Sequence, residues 1–258
     1  MKKTYLSLSL LLAVLLLPVS SLALEIGARG YYWFPSLDGT VKVEEAGVGT
    51  IIDFDKDLGI DDEYYPSIEA FVGLGSHHLS LTYTEIDYSG EKTLSEKIDF
   101  KGKEYEVGYT VDSSIKYTMI DLHYQYDLLD LENILAGFSL GGVLQVKYLD
   151  GDVRLKGTEA ATGRSIDEEE DFALYIPMLG LNLHIGILAD VLEARVRGTA
   201  IGYSGNTIYE VMGDISWTPF PFVDIHGGYK TFVIDIDEDD VVFDYDMSGP
   251  YVALTVSF

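Results

Sequence analysis

Two pairs of acidic and imidazole side chains stand two residues apart in this sequence: Asp121 with His123, and Asp224 with His226. Residues two apart share one face of a β-strand, so each carboxylate could orient its imidazole as a general-base dyad requires. The alternative is that all four groups belong to a buried hydrogen-bond network without a catalytic role. The strand order favours the network, because it places both pairs near the end of the fold that carries the chain termini. The four residues are kept as candidate catalytic residues.

Two runs of alternating acids could bind a divalent cation, and they comprise Asp53, Asp55 and Asp57, and Asp235, Asp237 and Asp239. The first run loosely follows a calcium-binding loop, but its glycine comes one position late and Tyr64 stands where the bidentate glutamate should be. The sequence therefore predicts no resident cofactor and no defined metal site. We expect weak, multisite binding of calcium or magnesium at these acidic segments. The alternative is that the acids only keep the loops hydrated.

The overall charge limits the classes of molecule that the protein can bind. The chain has 258 residues, with 43 acidic against 17 basic side chains and a formal net charge of −26. This charge excludes a general nucleic-acid binder, because nothing offsets the repulsion from phosphates. The absence of cysteine excludes disulfides, thiolate metal sites and cysteine nucleophiles.

The first 23 residues have the pattern of a secretory signal peptide. Lys2 and Lys3 precede an apolar run over residues 6–19, and Ser21 and Ala23 occupy the positions that a signal peptidase reads. The apolar core of about 14 residues is short for a membrane anchor, which needs about 20. We predict cleavage after Ala23, and a single domain over residues 24–258.

Apolar and polar residues alternate along most of the remaining chain. In residues 178–187, for example, leucines and isoleucines at odd positions alternate with Asn182, His184 and glycines. This period of two predicts about ten strands, near the 9–11 residues of a tilted membrane strand. The polar face carries charges that the dry core of a soluble sandwich would not accommodate unpaired. We predict that they form a polar network in a barrel lumen: Arg29, Glu69, Asp121, His123, Lys147, Arg195, Arg197, Glu210, Asp214, Asp224, His226 and Lys230.

The spacing of the strands predicts how they are connected. Short connections at 75–76, 130–133, 189–191 and 218–222 alternate with long segments at about 36–64, 89–112, 157–171 and 235–244. Short turns at one end and long loops at the other are typical of an outer-membrane barrel. The fold class predicted is therefore all-β: a transmembrane antiparallel up-and-down β-barrel of about ten strands, with eight or twelve as alternatives. A soluble sheet with one solvated face is the other alternative.

The last strand carries a resemblance to a known group of proteins. A terminal Phe258 preceded by Val252, Leu254 and Val256 resembles the final strand of small Gram-negative outer-membrane β-barrels. The resemblance implies that these four residues are read by the barrel-insertion machinery. It also implies a monomer in the cell outer membrane, in contact with membrane lipid and lipopolysaccharide. It selects no function.

Three functions are compatible with these patterns. The first is a non-enzymatic, structural or surface-binding barrel with a largely plugged polar lumen and acidic extracellular loops, because side chains fill small barrels. The second is a narrow pore for small solutes. The third is an outer-membrane peptidase similar to the omptins, which are ten-stranded barrels with an Asp/His pair at the extracellular mouth. The predicted position of both Asp-x-His pairs at the opposite end favours the first function.

Overall fold

A computed structural model describes residues 24–43, 49–100, 102–131, 137–159, 161–188, 191–238 and 241–258. The predicted signal peptide, residues 1–23, lies outside the described residues. No helix within the described ranges is long and apolar enough to cross a bilayer. The strands are β1 Leu24–Trp33, β2 Ser36–Val43, β3 Ile52–Asp53, β4 Tyr65–Leu74, β5 His77–Thr93, β6 Ile98–Phe100, β7 Lys103–Tyr105, β8 Tyr109–Asp130, β9 Ser139–Glu159, β10 Ser165–Leu188, β11 Leu192–Tyr203, β12 Asn206–Phe220, β13 Val223–Glu238 and β14 Val241–Ser257.

The strands close into an antiparallel barrel, as the sequence predicts. β1 pairs with β4 on one side and with the second half of β14 on the other. β2 then pairs with the first half of β14, so β1 and β2 form one barrel strand interrupted at Phe34 and Pro35. With β4, β5 and β8–β14, this makes a wall of ten strands. We call the end with Leu24, Phe258 and the short turns the base, and the opposite end the mouth.

Alternation explains the two faces of the wall in the base half. On β10, Leu179 points outward and is 71% exposed, whereas Met178 and Asn182 point inward and are buried. The same division holds for the last strand, where Val252, Leu254, Val256 and Phe258 are exposed on the outer face. The apolar belt on the outside and the polar lumen inside are the inverse of a soluble fold, as a membrane barrel requires.

The strands are longer than predicted. β8, β9 and β10 contain 22, 21 and 24 residues. The predicted loops at 157–171 and 235–244 are wrong, because the described residues of both segments lie in or next to β-hairpins. Thr158 is paired with Ser165, and Glu238 with Val241. The acids of these segments lie mainly on the outer face of strands that extend well past the apolar belt.

The orientation of apolar side chains reverses towards the mouth. On β13, Ile225 and Tyr229 face outward near the base, whereas Phe232 and Ile234 face inward and are buried. Asp235 and Asp237 then take the outward positions. The loop after β3 adds Phe54, which is also buried. The mouth half therefore has an apolar interior and an acidic exterior, like a soluble barrel.

The aromatic residues follow the same division. Tyr124, Tyr126, Trp217, Phe220 and Phe222 form an exposed group near the base, as expected for a membrane interface. Of the four aromatic residues at 31–34, two do not contribute to a matching group at the other interface. Trp33 is only 2% exposed, and the Tyr31 hydroxyl bonds to lumenal Arg29 and Glu69. Tyr31 and Trp33 stand at odd-numbered positions of β1, whose side chains point into the lumen.

Gly180 and Gly198 on neighbouring strands β10 and β11 provide a test of strand packing. A Cβ added at Gly180 would collide with the backbone of Gly198 and Thr199, whereas one added at Gly198 would meet Val211 at an ordinary 3.9 Å. We expect Gly180→Ala to lower the free energy of unfolding by about 1–3 kcal/mol. Gly198→Ala, the matched control, should leave it unchanged or slightly raised. Urea unfolding in lipid vesicles measures both, and equal values would contradict the packing described.

Candidate functional site in the barrel lumen

A cluster of ionised side chains crosses the middle of the lumen. Lys147 of β9 is fully buried, and its Nζ lies 2.6 Å from Asp121 Oδ1 of β8 and 3.0 Å from Glu210 Oε2 of β12. Lys230 Nζ of β13 lies 3.2 Å from the same Glu210 oxygen. Gln145 donates to Asp121 at 2.8 Å and accepts from Thr199 at 2.5 Å. These residues, the Lys147 cluster, join strands from opposite sides of the barrel.

A second cluster lies beside β1. Arg29 Nη1 is 3.5 Å from Glu69 Oε1 and donates to Tyr31 Oη at 2.9 Å. Tyr31 and Thr82 both donate to Glu69 Oε2, at 3.0 and 3.1 Å. Arg29 Nε also donates to Thr255 at 2.6 Å. We call this the Arg29 cluster, and it connects β1, β4, β5 and β14 through the lumen.

The two candidate Asp-x-His pairs do not form dyads, and the members that have bonded partners belong to a network, the alternative that the sequence favours. Asp121 contacts Lys147 and Gln145, and Asp224 accepts from Thr218 Oγ1 at 2.6 Å. His226 instead contacts Asp214 Oδ1 at 3.2 Å and Thr255 Oγ1 at 2.8 Å. Asp121, Asp224 and His226 each meet a partner on a neighbouring strand, because cross-strand partners approach closely in a sheet. A shared strand face is therefore not enough to predict which side chains bond to each other.

A polar cavity of about 260 Å³ lies in the base half, and Arg29 and Glu69 of the Arg29 cluster form part of its lining. His123 is 4% exposed, and neither of its ring nitrogens has a hydrogen-bond partner among the described residues. Its Nε2 is 4.0 Å from Glu210 Oε1. Arg195 and Arg197 also line this cavity, and the Nε of Arg195 is buried without a partner in the described chain. Buried polar atoms of this kind are normally satisfied by water, so the cavity is suited to hydration.

A cavity of different character lies in the mouth half, with a volume of about 360 Å³. Its walls are almost entirely apolar, and Glu170 is the one charged residue among the described residues that line it. The side chains that line it include Phe54, Tyr117, Leu149, Leu174, Phe232 and Tyr245. The hydroxyls of Tyr117 and Tyr245 lie 2.7 Å apart and bond to each other. The sequence signal for this cavity is the alternation of acids with apolar residues in 234–237 and 243–246, which overlap the predicted loop at 235–244.

The candidate metal ligands are not arranged as a metal site. Asp53 Oδ1 accepts the backbone N–H groups of Asp55 and Lys56, and Asp57 Oδ2 accepts that of Asp53 at 2.8 Å. Burial alone would raise the pKa of Asp53, but hydrogen bonds from Lys56 lower it overall. Asp235 and Asp237 are exposed on the outer wall, and Asp239 lies outside the described residues. Within the described ranges, no three acids or histidines could together hold a metal ion.

Comparisons with known proteins identify the fold. No protein-family model matches the chain, and no curated protein matches it significantly. Among solved structures, the outer membrane protease OmpT from Escherichia coli is similar with a TM-score of 0.61 and 10% identity, over 93% of this chain and 99% of that chain. The protein has the fold of an outer-membrane β-barrel.

Two other solved structures match with lower TM-scores. Ail of Yersinia pestis, in complex with the heparin analogue sucrose octasulfate, has a TM-score of 0.35 and 11% identity, over 91% of this chain and 98% of that chain. Neisserial surface protein A has a TM-score of 0.33 and 13% identity, over 93% and 100%.

All five histidines of this outer-membrane-type barrel lie in its base half. His77 and His78 begin β5 next to a base turn, and His184 is paired with Ser139 at the start of β9. His123 and His226 line the polar base cavity. An imidazole base is therefore absent from the mouth. The similarity to a protease does not extend to an acid–imidazole pair at that end.

Proposed function

We propose that this protein is a non-enzymatic integral barrel of the Gram-negative outer membrane, with a lumen closed to ions and a mouth that binds ligands. Residues 1–23 direct export and are removed, the base faces the periplasm, and the barrel is a monomer surrounded by membrane lipid and lipopolysaccharide. The observation that carries the closed lumen is the Lys147 cluster, in which Lys147, Asp121 and Glu210 are 0–2% exposed. Ion pairs this dry oppose the passage of an ion beside them, because side chains fill the lumen of a small barrel.

The layers on either side of the cluster support closure. Above Lys147, the Phe232 ring lies 4.6 Å from its Nζ and is fully buried. Below it, Arg29 and His226 occupy the lumen with buried partners of their own. The pore alternative would require the Lys147 and Arg29 clusters to separate together. The peptidase alternative lacks support from the mouth, where no histidine is found.

Single-channel recording in planar bilayers tests this function. We expect the purified barrel to give no stable conductance steps, because moving an ion through the Lys147 cluster would break desolvated ion pairs. An open porin in the same bilayer serves as the positive control. Heat-modifiable migration on gels must first show that the inserted protein is folded. Regular steps from folded protein would overturn the closed lumen and favour the pore.

A further inference from the structure

The mouth cavity is an apolar site enclosed by the longer strands of the barrel. Leu174 points into the lumen like other even-numbered residues of β10, yet it is 47% exposed. Beneath it, Phe232 and Tyr245 are 0% and 3% exposed and form a floor. An inward apolar side chain with this much accessible surface gains free energy when an apolar ligand covers it. The geometry indicates a binding site rather than a packing defect.

The chemistry of the walls selects a hydrocarbon ligand. The two tyrosine hydroxyls at the cavity are bonded to each other, and Tyr117 and Tyr245 also contact Met247 Sδ. A polar ligand would lose its hydration here and find few hydrogen-bond partners. An apolar cavity of about 150 Å³ holds benzene, so the 360 Å³ cavity admits on the order of ten to fourteen carbons. This fits the chain of a small amphiphile.

The wall of the cavity has one low side. Its lining residues come from β8–β10, from β13, β14 and β2, and from residues 54 and 100, whereas no described residue of β11 or β12 contributes. β11 has 12 residues against 24 in β10, and its turn to β12 at Ser204 and Gly205 stands low on the rim. Tyr203 at this turn is 83% exposed. A chain could enter the cavity sideways over this turn.

We propose that the mouth cavity binds the hydrocarbon chain of an amphiphile, which enters over the β11–β12 turn and leaves its head group at the rim. This proposal deepens the ligand-binding part of the proposed function. The two fail separately, because conductance reports on the Lys147 cluster and ligand labelling reports on the cavity.

Photolabelling tests the site. The barrel is reconstituted in nanodiscs and exposed to dodecanol that carries a diazirine, and the labelled residues are mapped by mass spectrometry. We expect saturable labelling at Leu174 and its neighbours, which unlabelled dodecanol suppresses. Labelling of the lipid-facing Leu179 should rise linearly with concentration. Linear labelling everywhere would overturn the site.

A matched pair of variants on β10 locates the ligand. Leu174→Trp fills the cavity, whereas Leu179→Trp makes the same change on the outer face. We expect Leu174→Trp to weaken the apparent affinity by about tenfold or more, and Leu179→Trp to leave it unchanged. Heat-modifiable migration confirms folding, and Val153→Phe is a second cavity-filling variant if Leu174→Trp does not fold. Unchanged affinity in a folded cavity variant would overturn the proposal.

Native mass spectrometry distinguishes the source of the chain. A free amphiphile should add its mass to an otherwise empty barrel after incubation. A membrane lipid that supplies the chain should instead be retained on the purified wild-type barrel and absent from Leu174→Trp. Either result supports a hydrocarbon site, and equal retention by wild type and Leu174→Trp contradicts it.

Discussion

Replacing Lys147 by methionine should lower the free energy of unfolding by about 3–5 kcal/mol, because the change leaves buried carboxylates without their cation. Lys147 is the common partner of Asp121 and Glu210, at 2.6 and 3.0 Å. Lys230 remains beside Glu210 in the variant. Asp121 keeps the amide of Gln145 but loses its ion pair. Methionine preserves most of the volume of lysine, so the change tests charge rather than packing.

The matched control is Lys116→Met on the mouth segment of β8. Lys116 Nζ lies 3.0 Å from Asp87 Oδ2, but both side chains are more than half exposed. Exposed ion pairs contribute about 0–1 kcal/mol, so this variant should unfold at nearly the wild-type urea concentration. Urea titration in lipid vesicles, followed by tryptophan fluorescence and heat-modifiable migration, measures both variants.

A double variant identifies the origin of the loss. Lys147→Met combined with Asp121→Asn removes the stranded charge along with the cation, and we expect it to recover much of the lost stability. Equal unfolding free energies for Lys147→Met and Lys116→Met would contradict a dry ion pair. They would indicate that water reaches the Lys147 cluster, which would also weaken the case for a closed lumen.

The base half of the barrel was predictable because one physical rule governs each residue there. Side chains such as Leu179 and Leu254 alternate with glycine or polar residues, since one face meets lipid and the other meets the lumen. The strand count and the common end of both termini follow from counting these segments. Arg29 and Lys147 could be placed in the lumen by parity alone, without knowing their partners.

The partners themselves depend on register between strands, which alternation does not determine. His226 meets Asp214 because β12 and β13 pair with Ser216 opposite His226. A shift of two residues would retain the same face for every side chain and change every contact. The sequence spacing of Asp224 and His226 suggested a dyad only because it was the nearest available pair.

The predicted loops at 157–171 and 235–244 are wrong because the alternation of apolar and polar residues has a different cause at the mouth. Ile234 and Asp235 are one apolar and one acidic residue, as in a loop rich in acids, but on β13 they face the interior and the exterior. Above the apolar belt the outside is wet, so the apolar positions move inward. A search for the residue at which the phase reverses would have found the change between Lys230, which faces the lumen, and Phe232.

Phe232 lies at this reversal point. Its ring separates the polar Lys147 cluster from the apolar mouth cavity: Lys147 Nζ lies 4.6 Å from the ring centroid, and the Tyr245 ring lies 6.3 Å away. We expect Phe232→Ala to lower the free energy of unfolding by about 3–5 kcal/mol, because a fully buried ring is replaced by a void. Phe220→Ala is the control, since Phe220 is 69% exposed at the base.

The same variant distinguishes the role of the Phe232 ring from the role of the Lys147 cluster. Phe232→Ala deepens the apolar cavity but leaves the ion pairs of Lys147 in place, so conductance should remain absent while hydrocarbon labelling extends to Met247 and other residues of the floor. Stable conductance steps in Phe232→Ala would show that the ring, and not the Lys147 cluster, closes the lumen. A stability loss no larger than that of Phe220→Ala would contradict the buried position of the ring. Urea unfolding, conductance and labelling are measured on the same preparation of folded protein. The unfolding free energy reports on the Phe232 ring, conductance on the Lys147 cluster and labelling on the mouth cavity.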